Sequence, residues 1–313
     1  SELVELRLEG GGRAGRHTGR NRQWSQAQWL ALRERRDPFQ SMLAFGDTRF
    51  NLATSGEVRY AEGLWVSGSF FQALGVAPAV GRLIGPQDDH PGCSIPGAVI
   101  SHALWQREFG GRPDVLTQTL PLGASRVSIV GVTPATFFGV EVGRRFDVAL
   151  PLCAADFERR DHWWLAVIGR LKPDWERARA EAYLQPQLPT IQDEAMPPTF
   201  DAGLAAAYRA MRLAIVDARS GVSPLRTTYR RPLWTLTAIA ALVLLIGAVN
   251  LANLLLARAA SREHEFAVRL AIGGSRGRVF QQVLTEGLVL AALGSVVAIG
   301  VALVVSRSLV RLM

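Results

Sequence analysis

The sequence predicts an α+β domain followed by two membrane-spanning α-helices. Three observations carry that reading. Strand-like and helix-like segments interleave ahead of residue 226 without the regular long crossovers of a parallel α/β fold. Between Arg231 and Arg258 no charged residue occurs, over PLWTLTAIAALVLLIGAVNLANLLLA. Between Glu286 and Arg307 a second charge-free run follows, GLVLAALGSVVAIGVALVVS. At a rise of about 1.5 Å per residue, each run is long enough to cross a hydrocarbon core of about 30 Å. One such run would pass as the core helix of a soluble protein, but two in close succession argue against it.

Within the first domain, Val4, Leu6 and Leu8 alternate with polar residues and predict a strand. Ser25 to Arg36 predicts a helix, with Ser25 as N-cap and Trp29 and Leu32 toward a core. Ser101 caps a second helix that runs to Phe109, with Leu104, Trp105 and Phe109 inward and Gly110 as its stop. Val127 to Val132 reads as a strand, as does Trp164 to Leu171, where Leu165, Val167 and Leu171 share a face. A helix over Trp175 to Leu184 follows, and Pro186, Pro189, Pro197 and Pro198 mark a loop before Asp201. The domains divide as residues 1–225 and 226–313, with spans at about 232–257 and 287–306.

The chain carries 35 Lys+Arg against 27 Asp+Glu, a net charge of +8. Alone, that balance fits a nucleic-acid binder. Yet Lys172 is the only lysine, and Arg used beside abundant Ala and Gly points first to GC-rich coding. A hydrophobic content of 49% is compatible with so basic a chain if the two classes are segregated, as the two runs segregate them. Disorder, collagen-like repeats and a disulfide-rich scaffold are excluded by the same composition. Cys93 and Cys153 are too few for a metal-finger array. Two separate thiols are the favoured reading, and one disulfide is the alternative in an oxidising compartment. The sequence starts at Ser1 with no charged-then-apolar leader, so the chain is cytosolic or its natural start lies upstream.

No catalytic constellation stands out. Gly10, Gly12 and Gly15 fit G-x-G-x-x-G after a strand-like run, but RHTGRNRQ follows in place of the amphipathic helix a dinucleotide site needs. The stretch reads as a flexible hairpin loop. Neither a P-loop nor a G-x-S-x-G elbow occurs. His17, His90, His102, His162 and His264 lack ligand spacing. Asp88–Asp89 lies among Pro86, Pro91 and Gly92 and reads as a solvated turn. In the spans, Gly247, Ala248, Gly294 and Gly300 suit close helix contact, and Asn250 and Asn253 suit interhelical or interfacial hydrogen bonding.

Between the spans, Arg258, Arg262, Arg269, Arg276 and Arg278 outnumber Glu263, Glu265 and Glu286, which places this segment in the cytoplasm. Arg226, Arg230 and Arg231 on the far side of the first span narrow that margin. Phe266, Ala267, Leu270 and Ala271 fall on one helical face, Gly273–Gly274 stops that helix, and Ser275 caps the next. Val279, Phe280, Val283 and Leu284 form a stripe leading into the second span. Such a helix either rests at the lipid interface or docks a cytosolic partner through its apolar face. The fold class is thus an α+β extracytoplasmic domain followed by two transmembrane α-helices joined by a cytoplasmic amphipathic helix.

SREHEFAVRLAIGGSRGRVFQQVLTEGLVLAALG resembles the cytoplasmic loop and following helix of FtsX-like, MacB-like ABC transporter permeases. Their R-E-x-x-[IV]-R-x-A-[LI]-G-[AG] signature is approached by Arg262, Glu263, Val268, Arg269, Ala271, Ile272, Gly273 and Gly274. There are two residues too many if Arg262 leads, whereas Glu265 restores the spacing. WVSGSFFQALGVAPAVGRLI resembles the opening of the family's periplasmic core domain, and AVISHALWQREFGGRPDVL and VSIVGVTPATFFGV its later blocks. HWWLAVIGRLKPDW is similar to the large permeases of the acidobacterial duplicated type. The resemblance covers roughly Ala53 to Leu312.

It implies an outer α+β domain inserted between the first and second helices of a four-helix permease in the bacterial inner membrane. It also implies a coupling element, Arg262, Glu263, Glu265, Phe266, Arg269, Leu270, Gly273 and Gly274, that touches a separate cytosolic ATPase subunit. ATP is then expected on that partner, with no cofactor and no catalytic role in this chain, and export proceeds by mechanotransmission in a homodimer or pseudo-dimer. Two departures stand out. Thr117 replaces a usual Gly, and the usual N-G turn before Val127 is absent. The first helix is missing before Ser1 and a fourth before Met313, so the chain reads as half a permease unit. The rival readings are a non-transporting membrane regulator of an envelope hydrolase or lipoprotein and, on charge alone, a nucleic-acid binder, which two spans disfavour.

Overall fold

The computed structural model describes residues 2–10, 16–17, 23–53, 56–90, 93, 95–123, 125–155, 160–219, 221–222, 224–261 and 276–312. Two compact units divide the chain, Ser1–Thr228 and Tyr229–Met313.

The first unit begins with β1 (Leu3–Glu9), the short β2 (Arg16–His17) and β3 (Trp24–Ser25), then α1 (Gln26–Arg33) and the long pair β4 (Phe39–Asn51) and β5 (Tyr60–Val66). After α2 (Phe70–Leu74) come β6 (Val80–Gly81), β7 (Ala98–Ile100), α3 (His102–Phe109), β8 (Thr119–Leu122) and β9 (Ser125–Val132). β10 (Val148–Pro151) and β11 (His162–Leu171) precede α4 (Arg177–Leu184), α5 (Leu188–Glu194), α6 (Ala202–Arg209) and β12 (Arg212–Asp217). Two long helices close the chain, α7 (Pro224–Ser261) and α8 (Arg276–Leu312).

One mixed sheet runs in the order β12-β1-β11-β4-β5-β10-β7-β9-β6. β10 lies parallel to β5 and β7 parallel to β9, while the other neighbours along this path are antiparallel. The α+β expectation holds. On β11, Leu165, Val167 and Leu171 share the face packed by Trp29 and Leu32 of α1, Leu184 of α4 and Leu188 of α5. Ala166 and Ile168 point the other way, onto Phe70 and Phe71 of α2 and Phe146. Both faces are thus covered, and β11 is buried along nearly its whole length. Each such side chain removed from water contributes about 1.5–3 kcal/mol.

The local signals translate into caps. Ser25 accepts from the Gln28 amide while the Gln28 side chain accepts from the Ser25 amide, a reciprocal capping box. α1 nevertheless stops at Arg33 rather than Arg36, ahead of the Asp37–Pro38 turn, where proline disfavours helix in the residue before it. Ser101 caps α3, and Gly110 ends it at φ +61. α4 starts at Arg177, not Trp175, and Trp175 instead lies under the Arg179 guanidinium at 4.4 Å. The β8–β9 hairpin closes through Gly123 at φ +63, which supplies the left-handed residue an N-G turn would have given.

Three expectations are corrected, and a fourth falls outside the described residues. The proline-marked loop contains a helix, α5, because Pro189 sits in its first turn, where no amide donor is needed. The hairpin-loop reading after Gly10 falls largely on residues 11–15 and 18–22, outside the described set; among the described residues Gly10 takes φ +84 and β2 pairs with β11. Asp88–Asp89 is a turn, but not a solvated one. Asp88 is buried and receives Arg82 at 2.6 and 3.0 Å and the Gly85 amide at 2.9 Å. Asp89 receives the Gly68 and Cys153 amides at 2.9 and 3.1 Å. Finally, Cys93 and Cys153 are not separate thiols. They form a disulfide with Cα atoms 5.9 Å apart, because the Asp89 turn lays the Cys93 loop against the end of β10.

Candidate functional site

The residues singled out as a coupling element, Arg262, Glu263, Glu265, Phe266, Arg269, Leu270, Gly273 and Gly274, all lie outside the described residues. The helices on either side of them are described. Pro232–Arg258 in α7 and Gly287–Ser308 in α8 are both long and apolar enough to cross a membrane. Their apolar side chains are uncovered by protein: Trp234 is 69% and Leu244 77% exposed. Two hydroxyl groups in these spans are satisfied internally, Thr237 donating to the Leu233 carbonyl at 2.8 Å and Ser295 to the Ala291 carbonyl at 2.8 Å. That is the arrangement a medium without hydrogen-bonding capacity demands. Asn250 and Asn253 lie on α7 with exposed side chains.

The first unit carries a built junction where the chain leaves it. β1 and β12 are antiparallel neighbours with Val4 opposite Asp217, so the start of one and the end of the other lie side by side. The Ala218 amide donates to the Leu3 carbonyl at 3.0 Å. Glu2 holds Arg219 at 2.8 Å and Arg177 at 3.3 Å. The chain then turns at Gly221, whose φ of +82 and closeness to Val140 favour glycine. Val222 forms an isolated parallel bridge opposite Glu141, its amide donating to Val140 at 2.9 Å and its carbonyl accepting from Val142 at 2.9 Å. Its side chain is 2% exposed, in the cluster that holds Phe70, Phe71 and Phe146. A cleft of about 270 Å³ is lined by Leu3, Leu74, Phe138, Val142, Ile168 and Gly221, so segments far apart in the chain meet there. One residue separates Val222 from α7.

Sequence reasoning missed this junction. Asp217–Gly221 has turn composition beside a span, which is a legible signal, but its partner loop lies far upstream and no local pattern announces the pairing.

A second built feature is the Arg82–Asp88 pair. Burial pushes the Asp88 carboxyl upward, but the Arg82 guanidinium and the Gly85 amide outweigh it and hold the group below its ordinary range. Arg82 is raised in turn by its bond to Asp88. These groups clamp a turn onto the sheet. Among the described residues no three His, Cys, Asp or Glu side chains are grouped to hold a metal ion.

Two family models match the chain. MacB-like periplasmic core domain covers residues 6–187, and FtsX-like permease C-terminal covers residues 237–313. The macrolide export ATP-binding/permease protein MacB of Nitrobacter winogradskyi is 36% identical over 85 residues, which is 27% of this chain and 13% of that protein. The pyoverdine export ATP-binding/permease protein PvdT of Pseudomonas fluorescens is 36% identical over 75 residues, 24% of this chain and 11% of that one. The periplasmic region of MacB from Actinobacillus actinomycetemcomitans aligns with a TM-score of 0.47 at 12% identity, over 70% of this chain and 89% of that chain.

Proposed function

The chain belongs to the FtsX-like, MacB-like family of ABC transporter permeases, and on that premise we propose that it is a permease subunit driven by a separate cytosolic ATPase. One observation carries the proposal: a periplasmic core domain match and an FtsX-like permease match stand in order on one chain, the second over two helices whose apolar runs are long enough to cross a membrane. Both named relatives are export proteins that combine ATP-binding and permease functions, which supports export as the direction and an ATPase as the partner.

The proposed mechanism is mechanotransmission. ATP-driven movement of the partner pushes Arg262, Glu263, Glu265, Phe266, Arg269, Leu270, Gly273 and Gly274, and α7 carries the movement outward. The junction supports this role. Val222 is tied by two hydrogen bonds and a buried side chain to the Val140–Val142 loop, and Ala218 is tied to β1. A displacement of α7 would reach the sheet through these ties. The adjacent ends of β1 and β12 also suit a domain inserted between two membrane helices. The disulfide supports placing the first unit in an oxidising space outside the cytoplasm.

Phe266→Asp with Leu270→Asp should abolish co-purification with the cognate ATPase, while the variant still inserts in the membrane. A complex that survives at wild-type yield would reject the docking role. Absence of ATP-dependent substrate flux in vesicles holding both subunits would reject transport itself.

A further inference from the structure

An apolar pair is left uncovered where the chain leaves the first unit. Phe138 is 55% exposed and Val142 48% exposed. They flank Val140, which is fixed by its hydrogen bond from Val222. The loop does not dangle. Its Phe137 ring meets Phe70, Phe71 and Phe146 edge-on at 6.4, 6.0 and 5.8 Å. A buried footing thus holds an apolar tip outward. Gly143, Arg144 and Arg145 follow, all exposed. Arg144 leans on Glu62 and Glu141 at 3.7 and 3.8 Å.

The span in α7 begins at Pro232, ten residues after Val222. Those residues are helical from Pro224 onward, so Val222 lies within roughly 20 Å of the hydrocarbon edge, and nearer when the helix tilts. Phe138 and Val142 share a cleft with Gly221, next to Val222. Arg226, Arg230 and Arg231 occupy the connecting stretch and match anionic headgroups in sign.

We propose that the loop from Phe137 to Arg145 is a lipid-seated foot, with Phe138 and Val142 entering the headgroup layer of the same bilayer that α7 crosses and Arg145 facing lipid phosphates. The foot would fix the height and tilt of the outer unit, so that movement of α7 bends it against the membrane surface. The inference rests on α7 being a membrane span.

The test uses the full chain in phosphatidylethanolamine–phosphatidylglycerol vesicles. A thiol-reactive fluorophore is placed singly at Phe138→Cys, Val142→Cys, Val58→Cys or Leu244→Cys; the disulfide keeps Cys93 and Cys153 from reacting. Val58 is the aqueous control, 52% exposed at the turn between β4 and β5, and Leu244 is the control inside the span. Nitroxide lipids labelled near the headgroup should quench the Phe138 and Val142 probes at least about twofold more than the Val58 probe, as seating ~5–10 Å deep requires. Nitroxides deep in the chains should quench them less, and the Leu244 probe most. Equal quenching at Phe138, Val142 and Val58, with Leu244 quenched, overturns the foot but leaves the membrane reading standing. An unquenched Leu244 overturns both. Protection of Phe138 and Val142 from aqueous iodide without lipid quenching shows that protein covers them, which also overturns the foot.

Discussion

The Cys93–Cys153 bridge allows a worked prediction. It closes a loop of 60 residues, from the turn after Asp89 to the segment after β10. A cross-link of that span removes conformational freedom mainly from the unfolded chain, by about 4 kcal/mol on the chain-entropy relation. The native side of the balance changes little when the bridge is lost. Asp89 still accepts from the Gly68 amide at 2.9 Å and the Cys153 amide at 3.1 Å, so the loop keeps its anchor. Cys93→Ser with Cys153→Ser should therefore preserve the fold but lower its stability by about 4 kcal/mol. For a unit of this size that is roughly 8–16 °C in Tm. Tryptophan fluorescence during thermal unfolding in detergent reads this directly. Every tryptophan except Trp234 lies in the first unit. Reductant should shift the wild-type transition toward that of the variant and leave the variant unmoved. An unchanged transition in the double variant would refute the reasoning. So would two alkylatable thiols in protein taken from membranes without reductant, which would also argue against an oxidising compartment.

Asp88→Asn removes a carboxylate 5% exposed from an Arg82 that is 48% exposed on its side chain. The half-solvated guanidinium softens the loss, and about 1–3 kcal/mol of stability should go at pH 7, measured by denaturant unfolding. Because the folded carboxyl titrates below its unfolded value, its contribution is complete above about pH 4 and disappears as pH falls through the folded value. The gap between wild type and variant should thus close in acid, and a gap that persists at low pH would contradict the assignment. Gly131→Ala places a Cβ 1.8 Å from the Arg82 carbonyl oxygen, a backbone atom that cannot rotate aside. It should part β6 from β9 at a cost of at least about 2 kcal/mol, with faster amide exchange at Arg82, whose N–H donates to Val130 at 2.9 Å.

Much of the local architecture was legible because its causes are local. Ser25 and Ser101 present a hydroxyl to their own helix amides, and Gly110 takes a left-handed conformation that other residues resist. Val4, Leu6, Leu165 and Val167 alternate because successive strand residues face opposite ways. The family was legible for a similar reason, since its motifs are contiguous blocks such as Glu265 to Gly274. Where a reading failed, a distant neighbour intervened: Arg82 drew Asp88 inward.

The sequence by itself determined the two spans, because an uncharged apolar run long enough to cross a bilayer is a property of composition and length. It also determined the caps and the order of the domain motifs. Only the tertiary structure decided that Cys93 meets Cys153, that Asp88 clamps a turn, and that Val222 is tied to Val140 and Val142. Each of these brings together segments far apart in the chain, and their energy depends on distances that only the folded sheet sets.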